Sequence, residues 1–217
     1  MKIVVVASQK GGSGKTTLAA HLAVEAERAG DGPTWLVDTD RQGTLSMWHD
    51  RREAETPGRL DVPLSRLPAG IEALRRQGAS LVIIDTAPSV NDQTGAVLAL
   101  SDLVLIPVRP SPADLWAAGE TVAAAQAAGR PFLFAISQAK PAASITAQAV
   151  AALSEHGRVA GHFIADRVAY ASAIAGGRTA PEITPKGPAA AEIAGLWQDV
   201  KSCFHENMKG RRAQQHG

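Results

Sequence analysis

Five short apolar runs constrain the fold of this chain more than any other feature: IVVVAS at 3–8, TWLVD at 34–38, LVIID at 81–85, LVLIPV at 103–108 and FLFAIS at 132–137. None alternates apolar with polar residues, so each must be buried on both faces, as parallel strands are inside a helix-covered sheet. Between them lie alanine-rich segments with helical spacing, 16–29, 113–128 and 145–155, mostly closed by Gly30, Gly129 and Gly157. Strand and helix alternate, so the expected class is α/β: a doubly wound, mostly parallel sheet with helices on both faces. Residues 1–205 are expected to form one domain, ending in a helix over 189–204, with a polar, frayed tail at 206–217. Proline and glycine cluster at 56–70 and 176–188, which predicts surface loops free to move.

Charge is balanced, with 22 basic against 21 acidic residues, so a nucleic-acid contact has to come from a local patch. Cys203 is the only cysteine, which excludes an intrachain disulfide framework, a multi-cysteine zinc site and an iron–sulfur cluster ligated by several thiolates of one chain. The first apolar run stops at Ser8 without a cleavage-site pattern, and no stretch approaches the ~20 apolar residues that span a bilayer. A reduced, cytoplasmic, soluble protein is expected.

The segment QKGGSGKTT, 9–17, joins the first apolar run to the first helical segment. Strand, small-residue loop and helix N-terminus in that order make a phosphate cradle, because backbone N–H groups and the helix dipole both face the anion. Gly11, Gly12, Ser13 and Gly14 form the cradle, Lys15 reaches the outer phosphates, the Thr16 hydroxyl suits Mg²⁺, and Thr17 offers a hydroxyl to an inner phosphate. The strict pattern GxxxxGK[ST] fails, since Gln9 occupies the first glycine position, and a second lysine, Lys10, follows it. Two further runs end in acids, at WLVDTD and LVIIDTAPS. Ligands of open α/β sheets gather at the carboxyl ends of strands, so Asp38, Asp40 and Asp85 are expected to converge on the loop. A phosphate-bound Mg²⁺ needs few protein ligands, and Thr16 with Asp85 and Asp40 would suffice.

KGGSGKTT resembles the deviant Walker A loop of the ParA/MinD ATPases, and the chain looks most like the small ParA-type partitioning and positioning members. DTDRQG is similar to the family's first switch, with Arg41 where proline is usual, and LVIIDTAPS to its Walker B segment. LIPVRPSPADL and DRVAYASAIAGGRTAPE carry weaker likeness, so the resemblance runs from about residue 2 to about 200. It implies ATP and Mg²⁺ as ligands, with Lys10, Lys15 and Asp40 as catalytic residues. Asp40 would orient the attacking water, Asp38 would lie nearer the loop lysine, and Asp85 would hold magnesium. It also implies a homodimer closed over ATP, in which Lys10 crosses to the partner's phosphates. Ser137 and Gln138 stand where the family often has a base-reading asparagine.

The same resemblance implies nonspecific DNA binding on the nucleoid and hydrolysis stimulated by a ParB-like or cargo-bound activator. The first strand begins at residue 3, leaving no room for an N-terminal helix-turn-helix, so operator binding is not expected. Candidate DNA contacts are Arg167, Arg178, Lys186 and Lys201, with Lys209, Arg211 and Arg212 in the later basic set. Two other readings stand beside this one. LWQDVKSCFHENMKGRR places Leu196, Val200, Phe204 and Met208 at fourfold spacing, as a MinD-like membrane-binding helix would. A metabolic enzyme can use the same loop, although no substrate constellation stands out; nitrogenase-reductase-like electron transfer lacks its cysteines.

Overall fold

The computed structural model describes residues 1–89, 91–140 and 144–215, with side chains of the last helix described to Glu206. The strands are β1 (Lys2–Val6), β2 (Thr34–Asp38), β3 (Gly58–Arg59), β4 (Leu81–Asp85), β5 (Leu103–Val108) and β6 (Phe132–Ile136). They form one sheet in the order β3-β2-β4-β1-β5-β6, with every pairing parallel. The helices are α1 (Lys15–Arg28), α2 (Thr44–Asp50), α3 (Leu67–Arg76), α4 (Asp92–Leu98), α5 (Pro112–Ala127), α6 (Ser144–Ser154), α7 (Val168–Ala175), α8 (Ala180–Ile183) and α9 (Pro188–Gln215). The expected doubly wound α/β sheet is the observed one.

The absence of alternation in the strands has its cause in two separate cores. Val4, Val6, Leu36, Ile83 and Leu105 face one side, where α1, α9 and the buried Leu45 and Trp48 of α2 cover them. Ile3, Val5, Val37, Ile84 and Ile106 face the other, under α3, α4, α5 and α6. Successive residues therefore still point to opposite faces, and both faces are dry.

The proline- and glycine-rich stretches are more structured than their composition predicts. Residues 56–70 contain the edge strand β3, a 3₁₀ turn at Leu64–Arg66 and the start of α3. The second cluster contains α8, whose Thr179 and Glu182 complete a reciprocal capping box. Close packing accounts for two of the glycines: a Cβ on Gly58 would lie 2.8 Å from the Trp35 ring, and one on Gly177 would lie 2.5 Å from the Arg51 backbone. Gly177 also has φ +69°, where a side chain would be strained.

Helix α9 runs well beyond Phe204, and the apolar stripe of its first turns is used internally. Leu196, Val200 and Phe204 are buried in the core shared with α1, and Lys2 lies over the Phe204 ring at 5.4 Å. The side chain of Met208 lies outside the described residues. No helix among the described residues is long and apolar enough to cross a membrane.

Helix α2 is pinned to the α8 segment by Arg52, whose side chain is only 2% exposed. Its guanidinium donates to both Glu182 oxygens at 2.9 and 3.2 Å and to the Gly177 carbonyl at 3.1 Å, and it stacks on Trp48. Glu182 keeps its bonds from Thr179, but loss of the buried guanidinium removes its hydrogen bonds and its stacking on Trp48, so Arg52→Ala should cost about 2 kcal/mol in urea unfolding. Arg59→Ala, whose partner Asp50 is 63% exposed, should cost under about 1 kcal/mol.

Candidate functional site

Strand β1 ends at Val6 and α1 begins at Lys15, so the intervening loop turns back on itself within a few residues. Gly12 and Gly14 take φ of 72° and 93°, the left-handed region that glycine enters freely. The loop's carbonyls are held by protein donors: the Ser13 hydroxyl and Lys15 Nζ each donate to the Lys10 carbonyl at 3.2 Å. From the end of β6, Ser137 Oγ donates to the Ser13 carbonyl at 2.8 Å, and Gln138 Nε2 to the Gly12 carbonyl at 2.7 Å. Among the described residues, the N–H groups of Gly11 to Thr16 donate to no protein atom, which leaves a set of free donors at a helix N-terminus.

Lys15 is buried, and burial lowers its pKa against the opposing pull of Asp85 and Asp40. Lys10 is placed differently. It lines an outer cleft with Gln9, Pro88, Ala113, Trp116 and Glu120, and the Trp116 indole there is 79% exposed. Gln9, in the missing glycine's position, ties the loop to α5 through its N–H to Thr121 Oγ1 at 3.3 Å and its amide to Glu120.

The acids converge through sheet register. Asp85 lies opposite Val6 on one side and opposite Asp38 on the other. Its Oδ2 accepts from Thr16 Oγ1 at 2.5 Å, while Oδ1 is buried without a partner. Burial, above all, pushes the Asp85 carboxyl up to about 7; the nearby charges of Asp38 and Asp40 add to this, and the Thr16 hydroxyl and Lys15 oppose it. Asp38 spends both oxygens on backbone, accepting from Asp40 N at 3.0 Å and from Ser46 N, at the start of α2, at 2.9 Å. Asp40 Oδ1 accepts from Gln42 N at 3.0 Å.

The donor set suits magnesium on a phosphate. Thr16 and Asp85 bring one hydroxyl and one buried carboxylate with an unpartnered oxygen, and hard oxygen ligands are what this ion requires. Among the described residues no cluster of three or more His, Cys, Asp or Glu could hold a metal by protein ligands alone.

Residues 4–180 match the CobQ/CobB/MinD/ParA nucleotide binding domain. The chain belongs to that family. It is 38% identical over 123 residues to the Maintenance of carboxysome distribution protein A of Gloeobacter kilaueensis, covering 56% of this chain and 55% of that protein. It is 35% identical over 118 residues to Protein ParA of Rhizobium radiobacter, covering 52% and 51%. It thus spans about half the length of the curated relatives it matches. MinD in the MinC:MinD complex of Aquifex aeolicus shares the fold, with TM-score 0.79, 16% identity and coverage of 93% of this chain and 96% of that one. So does the Cyanothece McdA(D38A)-ATP complex, with TM-score 0.76, 19% identity and coverage of 94% and 96%.

Several residues of the site were not singled out from sequence. Arg109, at the end of β5, places Nη1 beside Gly12 and is held by Asp114 at 2.9 Å; its position at a strand's carboxyl end was the available signal. His21 joins α1 to α8: its Nδ1 meets the Thr17 carbonyl at 2.8 Å, and its Nε2 accepts from Ala180 N at 3.0 Å. Burial lowers its pKa to about 4, so the ring is neutral with the proton on Nδ1. A cleft of about 160 Å³ adjoins the loop, with Gly14, Thr17 and Leu18 on one side and Asp166, Arg167 and Tyr170 on the other.

The candidate DNA contacts are not gathered together. Arg167 pairs with Glu192 at 2.6 Å near the phosphate loop, and Lys201 pairs with Asp31 at 3.0 Å at the opposite, N-terminal end of the central strands, beside Lys2 and Ser80. Arg178 donates to the Glu182 carbonyl at 3.2 Å, and Lys186 is exposed. The side chains of Lys209, Arg211 and Arg212 lie outside the described residues.

Raising the Asp85 pKa from 3.8 to about 7 favours the protonated folded state, so its contribution to stability should fall as pH rises from about 4 to about 7. A magnesium ion held by Asp85 on a phosphate would require the ionised form. Affinity for Mg·ATP should therefore rise severalfold between pH 6 and pH 8 with release of a proton, measured by calorimetry in buffers of differing ionisation enthalpy. Asp85→Asn should abolish both the proton release and the pH dependence.

Proposed function

We propose that this chain is a ParA-like, Mg²⁺-dependent ATPase that dimerises around ATP, binds nonspecific DNA as a dimer, and positions a cargo through partner-stimulated hydrolysis. The observation that carries this reading is the convergence of Thr16, Asp85, Lys15 and Asp40 on one glycine loop while Lys10 faces an outer cleft. A glycine loop whose second lysine lines a cleft with α5 residues suits a cation meant for a neighbouring subunit. An exposed indole beside that lysine suits the same interface, since aromatic anchors favour interface centres.

In this mechanism the free N–H groups of Gly11 to Thr16 and the Thr17 hydroxyl hold the phosphates. Lys15 exchanges the Lys10 carbonyl for a phosphoryl oxygen, which repays its burial with an opposite charge. Magnesium would be held by Thr16 and Asp85, with Asp40 beside them, and would neutralise charge on the outer phosphates. Asp40 orients the attacking water and accepts its proton while Lys10 of the partner subunit supplies additional positive charge. Loss of the γ-phosphate then releases the segment from Asp38 to Gly43, and with it the dimer. Arg41, in place of proline, leaves the spacing of Asp38 and Asp40 intact.

Names among the relatives support the positioning role: carboxysome distribution protein A and ParA. The DNA surface in this reading is composed across both subunits from exposed cations such as Lys186 and Arg178, because Arg167 and Lys201 serve intrachain pairs. The cytoplasm and the nucleoid are its proposed location.

Three variants test the reading by light scattering with ATP and by pelleting on nonspecific DNA. Lys15→Ala should lose nucleotide binding by at least a hundredfold. Lys10→Ala should keep nucleotide binding but remain monomeric and fail to bind DNA. Asp40→Ala should bind ATP, stay dimeric and hydrolyse at least a hundredfold more slowly. A Lys10→Ala protein that dimerises and turns over normally would overturn the intersubunit role.

A further inference from the structure

The cleft beside the phosphate loop, about 160 Å³, is smaller than the ~300–1,000 Å³ of sites that enclose a whole small molecule, so it suits one ring of a larger ligand. On the proposed nucleotide reading, that ring is the base. Ser137 and Gln138, which stand where the family often has a base-reading asparagine, give their Oγ–H and Nε2–H donors to carbonyls of the loop. The opposite wall, at 165–170, is left to contact the base, and a residue outside the cleft fixes it. Glu192 of α9 takes four donors from this short segment. Its Oε1 accepts from Arg167 Nε at 2.8 Å and Nη2 at 2.6 Å, and its Oε2 accepts from Tyr170 O–H at 2.7 Å and Ala165 N–H at 3.1 Å.

We infer that Glu192 is a positioning residue for the nucleotide base, holding the Arg167 and Tyr170 side chains as a preformed wall of the cleft. Two guanidinium N–H groups sharing the one oxygen Oε1 hold the plane of Arg167, and the phenol bond fixes the rotation of the Tyr170 hydroxyl. Burial, and then the bond to Glu192, raises the Tyr170 pKa, and the bonds to Glu192 raise that of Arg167, so both side chains serve as donors. Arg167 is partly open to solvent and, released from Glu192, would sample rotamers across the cleft mouth. Base binding would then have to order two side chains that the native protein presents already ordered, which weakens nucleotide affinity by about tenfold. Affinity for the phosphates alone would not change, because Glu192 makes no contact with the loop's donors.

The test compares Mg·ATP with magnesium tripolyphosphate, which has the phosphates and no base, on the full chain by calorimetry. Glu192→Ala should weaken ATP about tenfold while leaving tripolyphosphate within twofold of the native protein. Glu192→Gln, which keeps acceptor capacity on Oε1 but loses the charge, should show a smaller loss of the same kind and carries the comparison if the alanine variant fails to fold. Equal weakening of ATP and tripolyphosphate, or no change in either, would overturn the role of Glu192. A native protein that binds ATP no tighter than tripolyphosphate would overturn it as well, while leaving the phosphate site intact. A native protein that binds neither would instead sink the nucleotide reading on which the inference rests.

Discussion

The register of β1 against β4 governs this structure. With Val6 opposite Asp85, the residue that leads into the glycine loop and the buried carboxylate emerge at the same edge of the sheet, and Thr16 reaches across to close the pair. A slip of one residue would turn Asp85 to the other face and leave a carboxylate in an apolar core. The position of the carboxylate is costly even in the correct register, as its unpartnered oxygen and its pKa near 7 show. Fold stability alone gives no reason for an acid there. A ligand that supplies positive charge at this edge does, because it converts an unfavourable burial into an attractive interaction.

From this edge, two lines of contact run outward through residues remote from the phosphate loop. One passes from Asp38 through Ser46 to α2, then through Arg52 and Glu182 to the turn at Gly177. The other passes from the Thr17 carbonyl through His21 to the backbone of Ala180. Both end in the α8 segment, which follows directly on α7 with its Tyr170. The turn that carries Asp38 and Asp40 and the cleft beside the loop therefore rest on one shared support. Its components are hydrogen bonds and an ion pair.

Much of the fold was legible because buried parallel strands leave an unmistakable pattern. The runs at 34–38, 81–85 and 103–108 coincide with β2, β4 and β5, and Gly30 and Gly129 do follow α1 and α5 in left-handed geometry. What escaped were β3, α2, α4, α7 and α8, each eight residues or fewer and too short to show a period, and the ten-residue α3, which starts inside the proline- and glycine-rich stretch 56–70. The segments at 56–70 and 176–188 misled because glycine has two uses. Composition suggests freedom of the backbone, whereas Gly58 and Gly177 are there because a tryptophan ring and a neighbouring backbone leave no room for a Cβ. The stripe Leu196, Val200, Phe204 was equally ambiguous, since a helix face that packs on a core and one that packs on lipid have the same spacing.

The sequence by itself determined the alternation of strands and helices, the glycine-rich pattern of residues 10–17 between a strand and a helix, and the presence of acids at strand ends, because each depends on residue types at short separations. Tertiary structure alone decided which acid is buried against Thr16, which is spent on shaping the switch, and that Arg167 answers to Glu192 and Lys201 to Asp31. Those assignments join residues between 8 and 170 positions apart. A charge's partner at such range is set by strand order and helix packing, and neither quantity is written in the local pattern of the chain.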